Sequence, residues 1–522
     1  MVGGDAMSLT WKILLLPPTT IRCLLLCVCL CPSSRAADWP QYRGPNHDGV
    51  STDRINKNWT GSVTNPVWIV HLTNGLTSLT VSGGRVFTQV ARNTNGGNRE
   101  FCVALSVTNG AELWATKVDD KASYPNGGVG FTDDGPRSTP SVEGGSVYVL
   151  TSYHNLCRLN ATNGAVIWTT NLLAGFGGSV IGWQSAASPL LESGLVFVNA
   201  NCGTSTLMAF NRTDGTLAWR SQNEAMTHST PTLATINGVR QLIFATQSGL
   251  VSLNPQTGNL LWKFPYPFSY STSIGASPAV WQDLVFLSAY YGMGAVAVQI
   301  VQSNANQVPV QLWADSGVQN HWATPVCYQG AVFGQFTPDY DAAELRCIDI
   351  VSGAQRWAVG DFGRGSTMLI GTNLLVITER GDIVLAEANT NAYVELARFI
   401  AIPGFDGQRN KCWNALALSD GQLYVRSTAY AARFDLSVPD LKLDPPELAA
   451  GKLSLTIRTA TGTPVNSNRL AGIEVRTSTN AGLTPDLWIR LTNSLTLTNG
   501  VVSITNVDAP APRRFYIVSE PK

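Results

Sequence analysis

Eight residues of this chain have the types and places to do chemistry at one point: Arg137, Trp183, Gln184, His228, His321, Trp322, Arg364 and Trp413. Arginine and histidine side chains could hold an anionic or quinone-like ligand, and a tryptophan plane could stack on it. His228 and His321 are also candidate metal ligands or general bases. No His-x-His or His-Glu-x-x-His spacing supports a metal, and the two histidines are read as two repeat units apart. Asp133-Asp134, next to Arg137, could add a carboxylate, although Asp-Asp-Gly-Pro is also an ordinary turn. Asp339, Asp341 and Glu344 form an acidic stretch whose spacing is not that of an EF-hand, and it reads as a solvated loop.

A repeat must position these residues. Five times a turn glycine is followed four residues later by a tryptophan: Gly110–Trp114, Gly164–Trp168, Gly215–Trp219, Gly258–Trp262 and Gly353–Trp357. Trp313 continues the series after a degenerate turn. Asn160, Asn211, Asn254 and Asp349 open four of these turns by bonding their own backbone, and glycine supplies the positive φ. Each unit begins with a small-residue phrase ending in proline, such as Ser138-Thr-Pro140, Ala187-Ser-Pro189, Ser229-Thr-Pro231, Ala276-Ser-Pro278 and Ala323-Thr-Pro325. Alternating apolar strands follow, giving four short strands per unit.

The last strands fall at Trp68, Trp114, Trp168, Trp219, Trp262, Trp313 and Trp357, with a degenerate eighth at Val394–Ala397. Their spacing of about 47 residues suits a four-stranded blade. Three further strands near Trp413, Gln422–Arg426 and Ala429–Arg433 lack a fourth, and the strand at Trp68 lacks a first three. Pairing them closes a ring and removes the open edge. The fold class is therefore all-β: an eight-bladed β-propeller over residues 60–437, with the repeat tryptophans packed between blades and not in a site.

Other segments flank the ring. Residues 1–37 read as a cleaved secretory signal peptide, with Lys12 and Arg22 flanking an apolar, cysteine-rich stretch before small residues at Ala36-Ala37. Residues 38–59 form an N-terminal extension, 438–448 a stiff proline-containing linker, and 449–522 a small C-terminal β domain of sandwich type. Six cysteines remain in the mature chain, widely spaced and without a CxxC pair, and they read as buried fillers with room for one or two disulfides. Charged residues make up only 13% of the chain and the net charge is zero, which excludes an electrostatic case for nucleic acid. No later segment is an uninterrupted apolar membrane span.

The phrase "N/D-x-x-T/N-G-x-x-x-W" resembles the repeat of the pyrroloquinoline-quinone-like (PQQ-like) propeller family, over about residues 60 to 435. Asp38-Trp-Pro-Gln-Tyr-Arg-Gly-Pro-Asn-His-Asp-Gly-Val50 looks like the opening of secreted bacterial members, similar to those of planctomycetes and verrucomicrobia, and Arg514-Phe-Tyr516 is similar to the end of some of their tails. The resemblance implies one of two functions. One is a non-catalytic extracytoplasmic scaffold, periplasmic or secreted, without a cofactor, that binds a protein or cell-envelope component. The other is a PQQ-dependent dehydrogenase oxidising alcohols or sugars, with calcium beside the quinone and an aspartate base. Many alcohol-oxidising members carry adjacent cysteines bonded to each other, and the mature chain has no such pair.

Overall fold

The structure, a computed structural model, describes residues 38–520 apart from 60, 95, 125–133, 269–273, 305, 338–342, 408 and 509–513. The signal peptide and residues Asp133, Asp339 and Asp341 lie outside the described residues. Two compact units divide the chain, one ending at Val438 and the other beginning at Pro439.

Eight blades of four antiparallel strands make up the first unit, blade 7 carrying a fifth, parallel strand from the N-terminal extension. Blade 1 holds Thr80–Ser82, Arg85–Thr94, Gly97–Ser106 and Glu112–Asp119; blade 2 begins at Ser141–Glu143 and ends at Val166–Asn171. Blades 3 to 7 begin at Leu190–Glu192, Thr232–Ile236, Ala279–Trp281, Val326–Tyr328 and Ser366–Ile370. In blade 8 the strands Ala417–Ser419, Gln422–Arg426 and Tyr430–Asp435 are completed by Trp68–His71, which pairs with the last of them from Trp68 opposite Arg433 to His71 opposite Tyr430. The closure expected from the orphan strands is therefore the one the chain adopts.

Packing explains the glycine–tryptophan phrase. Gly164 turns at φ 73°, and the Asn160 Oδ1 accepts from the Thr162 and Asn163 backbone N–H groups at 2.8 and 3.2 Å. The Gly164 Cα faces Trp114 of the preceding blade, and a Cβ there would lie 2.7 Å from that indole. Glycine and tryptophan thus meet across blades, not within one. The Trp114 Nε1 then donates to the Ala161 carbonyl of the next blade at 3.1 Å, and Trp68, Trp168, Trp219, Trp313 and Trp357 repeat this with Val107, Arg212, Pro255, Ile350 and Asn389. Trp262 donates instead to Gln241 of its own blade, because the facing turn of blade 5 is the degenerate one. Gly164→Ala combines left-handed strain with a clash into Trp114, so a loss of about 2–4 kcal/mol in urea unfolding is expected.

A belt of hydroxyls ties the blades at the axis. The Ala415 N–H donates to Ser78 Oγ (2.8 Å), Ser78 to Thr139 Oγ1 (3.2 Å), Thr139 to Ser188 Oγ (2.9 Å), Ser188 to Thr230 Oγ1 (2.9 Å), and Ser277 to Thr324 Oγ1 (2.8 Å). This is the physical content of the small-residue–proline phrases. Strand starts crowd together at the axis, so only small side chains fit, and their hydroxyls satisfy backbone donors that would otherwise be orphaned.

The N-terminal extension is built into the ring. Trp39 bridges to Val81, the Val142 N–H donates to the Pro40 carbonyl, Val50–Ser51 pairs in parallel with Leu369 and Ile370, and Ile55 bridges to Ser437. The segment thereby crosses the inner strands of blades 1, 2 and 7 and reaches the end of blade 8.

All six cysteines described are free and buried, so the disulfides allowed for by the sequence do not form. The second unit is two antiparallel sheets sharing one core that includes Leu455, Ile457, Val475, Val502, Ile504 and Tyr516. The stretch read as linker contains a strand, Leu441–Leu443, paired with Lys452–Thr459. Alternation over three residues between prolines was too short to reveal it.

Candidate functional site

Large side chains stand just before the innermost strands of several blades. Arg137, Trp183, His228, His321, Trp322, Arg364 and Trp413 line one cavity of ≈ 200 Å³ at this level. Gln184, the eighth sequence candidate, lies outside the lining: it is buried, and its Oε1 has no partner. His228 and His321, read as two blades apart, are drawn together by the intervening segment. The His228 N–H donates to the Ile274 carbonyl (3.1 Å), and the Gly275 N–H donates to the His321 carbonyl (3.0 Å). Gly275 is needed here for space, since a Cβ would stand 2.9 Å from Trp322 Cβ.

An aromatic row forms one wall. Tyr290 stacks on His321 at 4.7 Å between centroids, His321 lies 4.1 Å from Trp322, and Trp322 lies 4.4 Å from Trp413. The Arg364 guanidinium sits 5.7 Å from both indole centroids. Glu379 holds this corner: it accepts from the Trp413 Nε1 at 2.7 Å and lies 3.5 Å from the Arg364 Nε.

Asp134 takes a pair of cations, Arg137 Nη2 at 2.7 Å and the fully buried Lys411 Nζ at 2.5 Å, the latter 5.4 Å from the Trp413 ring centroid. The other Arg137 terminus donates to the Trp183 carbonyl at 2.6 Å. Trp183 and Gln184 both have positive φ, 67° and 58°, so this clamp holds a loop tip in a conformation that non-glycine residues rarely adopt.

The floor comes from the N-terminal extension. The Tyr42 hydroxyl is 3.3 Å from Thr324 Oγ1, and Arg43 donates to the carbonyls of Thr324 (2.7 Å) and Pro325 (2.8 Å). Sequence reasoning missed Tyr42, Arg43, Glu379 and Lys411. The Trp39–Gly49 block carried the signal for the first two, with Gly44 at φ 81° packed on the Trp39 indole.

Four cations, Arg43, Arg137, Arg364 and Lys411, thus meet two carboxylates, Asp134 and Glu379, among the described residues. Burial pushes His228 and His321 down to about 3, aided by the charges of Arg137 and Arg364 respectively, so both rings are neutral near pH 7. Neither His228 ring nitrogen makes a well-formed hydrogen bond, and His321 Nδ1 and Trp322 Nε1 are likewise unpartnered.

A calcium ion needs six to eight oxygens, carboxylates among them. Both carboxylates here are engaged by cations, and no group of three or more His, Cys, Asp or Glu converges among the described residues. The donor set does not fit calcium. The indole faces and arginines do fit a planar anion. Glu344, offered with the acidic stretch, opens a strand and pairs with Arg346 at 2.8 Å.

The family profile described as "Outer membrane protein assembly factor BamB" matches residues 98–359, half of the chain, from the third strand of blade 1 to the end of blade 6. The chain belongs to this PQQ-like propeller family. Solved structures of similar fold include the quinohemoprotein alcohol dehydrogenase from Comamonas testosteroni, with a TM-score of 0.52 and 13% identity over 80% of this chain and 83% of that one. The alcohol dehydrogenase ADHIIG from Pseudomonas putida HK5 gives 0.50 and 12%, over 79% and 83%. BamB from Moraxella catarrhalis gives 0.48 and 15%, over 71% and 97%. At such identities the likeness to the two dehydrogenases shows the PQQ-like propeller fold and nothing of this chain's chemistry. No curated protein matches the chain. No helix among the described residues is long and apolar enough to cross a membrane.

Proposed function

We propose that this protein is a non-catalytic extracytoplasmic propeller, periplasmic or secreted, whose channel mouth is the binding face of a scaffold for a protein or cell-envelope component. One observation carries the reading: both carboxylates at the mouth are committed to partners. Asp134 lies between Arg137 and Lys411, and Glu379 between Trp413 and Arg364. His228 and His321 are too weakly basic to take a proton efficiently near neutrality. What is left is recognition, by indole faces, guanidinium donors and neutral imidazoles. A family described as an assembly factor supports the same reading.

The alternative, a quinone-dependent dehydrogenase, has one observation in its favour. Trp322, Trp413 and Arg364 together form a surface that would hold a planar anionic quinone, which supplies two-electron acceptance when bound. The base and the calcium ligands that such an enzyme needs are not matched by this chain's carboxylates. Purified protein titrated with PQQ and calcium is expected to show no dye reduction with alcohols or sugars. A saturable quinone spectrum together with dye reduction would overturn the scaffold reading.

A further inference from the structure

Between blades 1 and 2 lies a carboxylate that the mouth does not use. Glu100, on the strand Gly97–Ser106, has no solvent exposure. The Tyr124 hydroxyl donates to its Oε1 at 2.5 Å, and the Ser152 backbone N–H to its Oε2 at 3.0 Å. No lysine, arginine or histidine is bonded to it among the described residues.

Its surroundings do not supply positive charge directly. Asp119, on the neighbouring strand, is a second buried carboxylate, already accepting from Thr151 Oγ1 (2.7 Å), Asn155 Nδ2 (2.8 Å) and the Lys121 N–H (2.9 Å). From blade 2 the groups facing Glu100 are the Tyr153 hydroxyl and the Cys157 thiol, both pushed up by burial and by the Glu100 charge. On its own strand, Arg99 turns to Asp120, 3.5 Å away. Lys121 lies over the Tyr153 ring, and Arg137 lies 5.7 Å from the Tyr124 ring. Burial, with Asp119 adding to it, pushes Glu100 up to about 7.

The contacts of Glu100 lead to the mouth. Tyr124 lies in the segment 120–124, which is braced by a second bond from the Tyr153 hydroxyl to the Ser123 carbonyl (2.5 Å). On the face of Tyr124 rests Arg137, the residue that clamps the Trp183 carbonyl and Asp134. We propose that Glu100 is a proton-linked positioning residue for the channel mouth. Protonated, it keeps Tyr124 seated behind Arg137. Ionised beside Asp119, with no cation bonded to it among the described residues, it keeps the bonds from Tyr124 and Ser152 but these two donors do not replace its lost hydration, which it regains only if segment 120–124 lifts, and the Arg137 clamp then loses its support. This regulation rests on the mouth being a binding face, but its test needs no ligand.

Hydrogen exchange of the full chain, read by mass spectrometry at pH 6 and pH 8 and corrected for intrinsic rates, tests it. In the wild type, protection of the peptides covering 119–124 and Trp183 is expected to fall at least tenfold more between the two pH values than it does in Glu100→Gln, whose amide reproduces the protonated acid. Equal changes in both proteins, or no change in the wild type, overturn the proposal. Tyr124→Phe keeps the ring under Arg137 but removes its bond to Glu100. Its 119–124 peptide is expected to be tenfold less protected already at pH 6, and wild-type protection there overturns the proposal independently of how Glu100→Gln folds.

Discussion

Lowering the pH from 7 to 4 is expected to remove about 6 kcal/mol of folding stability through two histidines alone. His47, in the N-terminal extension, is 5% exposed, and His154, in the turn of blade 2, is 0% exposed. Burial pushes them down to about 3 and about 4, the charges of Arg240 and Arg43 adding to the effect at His47. Unfolded, each would bind a proton below about 6.5; folded, each stays neutral until far lower. The stability they confer is therefore complete above pH 6.5 and is lost as the pH falls toward 3 to 4. At pH 4 each costs about 3 kcal/mol, against a total that is typically about 5–15 kcal/mol. His228 and His321 act in the same direction but face the cavity, where water softens the penalty. Urea unfolding from pH 4 to 8 gives the slope. His47→Asn/His154→Asn keeps residues that tolerate the left-handed backbone found here, φ 62° and 64°. The double variant is expected to lose at least half of that slope, and an unchanged slope would contradict the account. Glu100 acts oppositely, its contribution falling as the pH rises from about 4.5 to about 7, so the wild type should be most stable in the mildly acidic to neutral range.

Arg426→Ala should cost about 3–5 kcal/mol, chiefly by opening the join between blade 8 and blade 1. The Arg426 guanidinium is buried at 1% exposure and bonds no carboxylate among the described residues. Its Nη1 donates to the carbonyls of Thr77 (2.9 Å) and Gln89 (3.0 Å) and to Thr88 Oγ1, all in blade 1, while Nε reaches the Ser427 carbonyl at 3.3 Å. Truncation leaves these acceptors unpaired in a dry place and adds a cavity. Arg426→Met separates the two causes, because it refills the stem's volume without restoring a donor. If Met recovered wild-type stability in urea unfolding, the bonds across the join would be irrelevant and the idea would fail.

Much of the architecture was legible because it repeats. A turn that needs positive φ at Gly164 and a large ring four residues later announce themselves through spacing, and the unpaired strands at Trp68 and Gln422–Arg426 implied the closure. The site was legible for a related reason. Where every blade places Ser, Thr or Ala at the axis, the residues just before it stand out when they are Arg137, His228 or Trp322. Gln184 satisfied the same rule, yet the left-handed turn at Trp183 directs it into the interior. Glu379 and Lys411 were hidden because they enter from loops after a second or fourth strand, outside the phrase that was being read. The role of Tyr42 and Arg43 could not be inferred from periodicity, since a segment that crosses several blades has no period of its own. Leu441–Leu443 was lost between prolines, which break alternation without preventing a short edge pairing.

The strand Trp68–His71 has a kinetic consequence. It completes a blade whose other strands lie at the far end of the propeller sequence, so the ring cannot be finished until nearly all of that sequence has been made and collapsed. Loop-closure entropy is met before the reward arrives, which places this propeller among slow folders of high contact order. The converse holds once it has closed. Every blade then lies between two neighbours, no edge frays by itself, and escape from the native state must begin at the join that Arg426 holds.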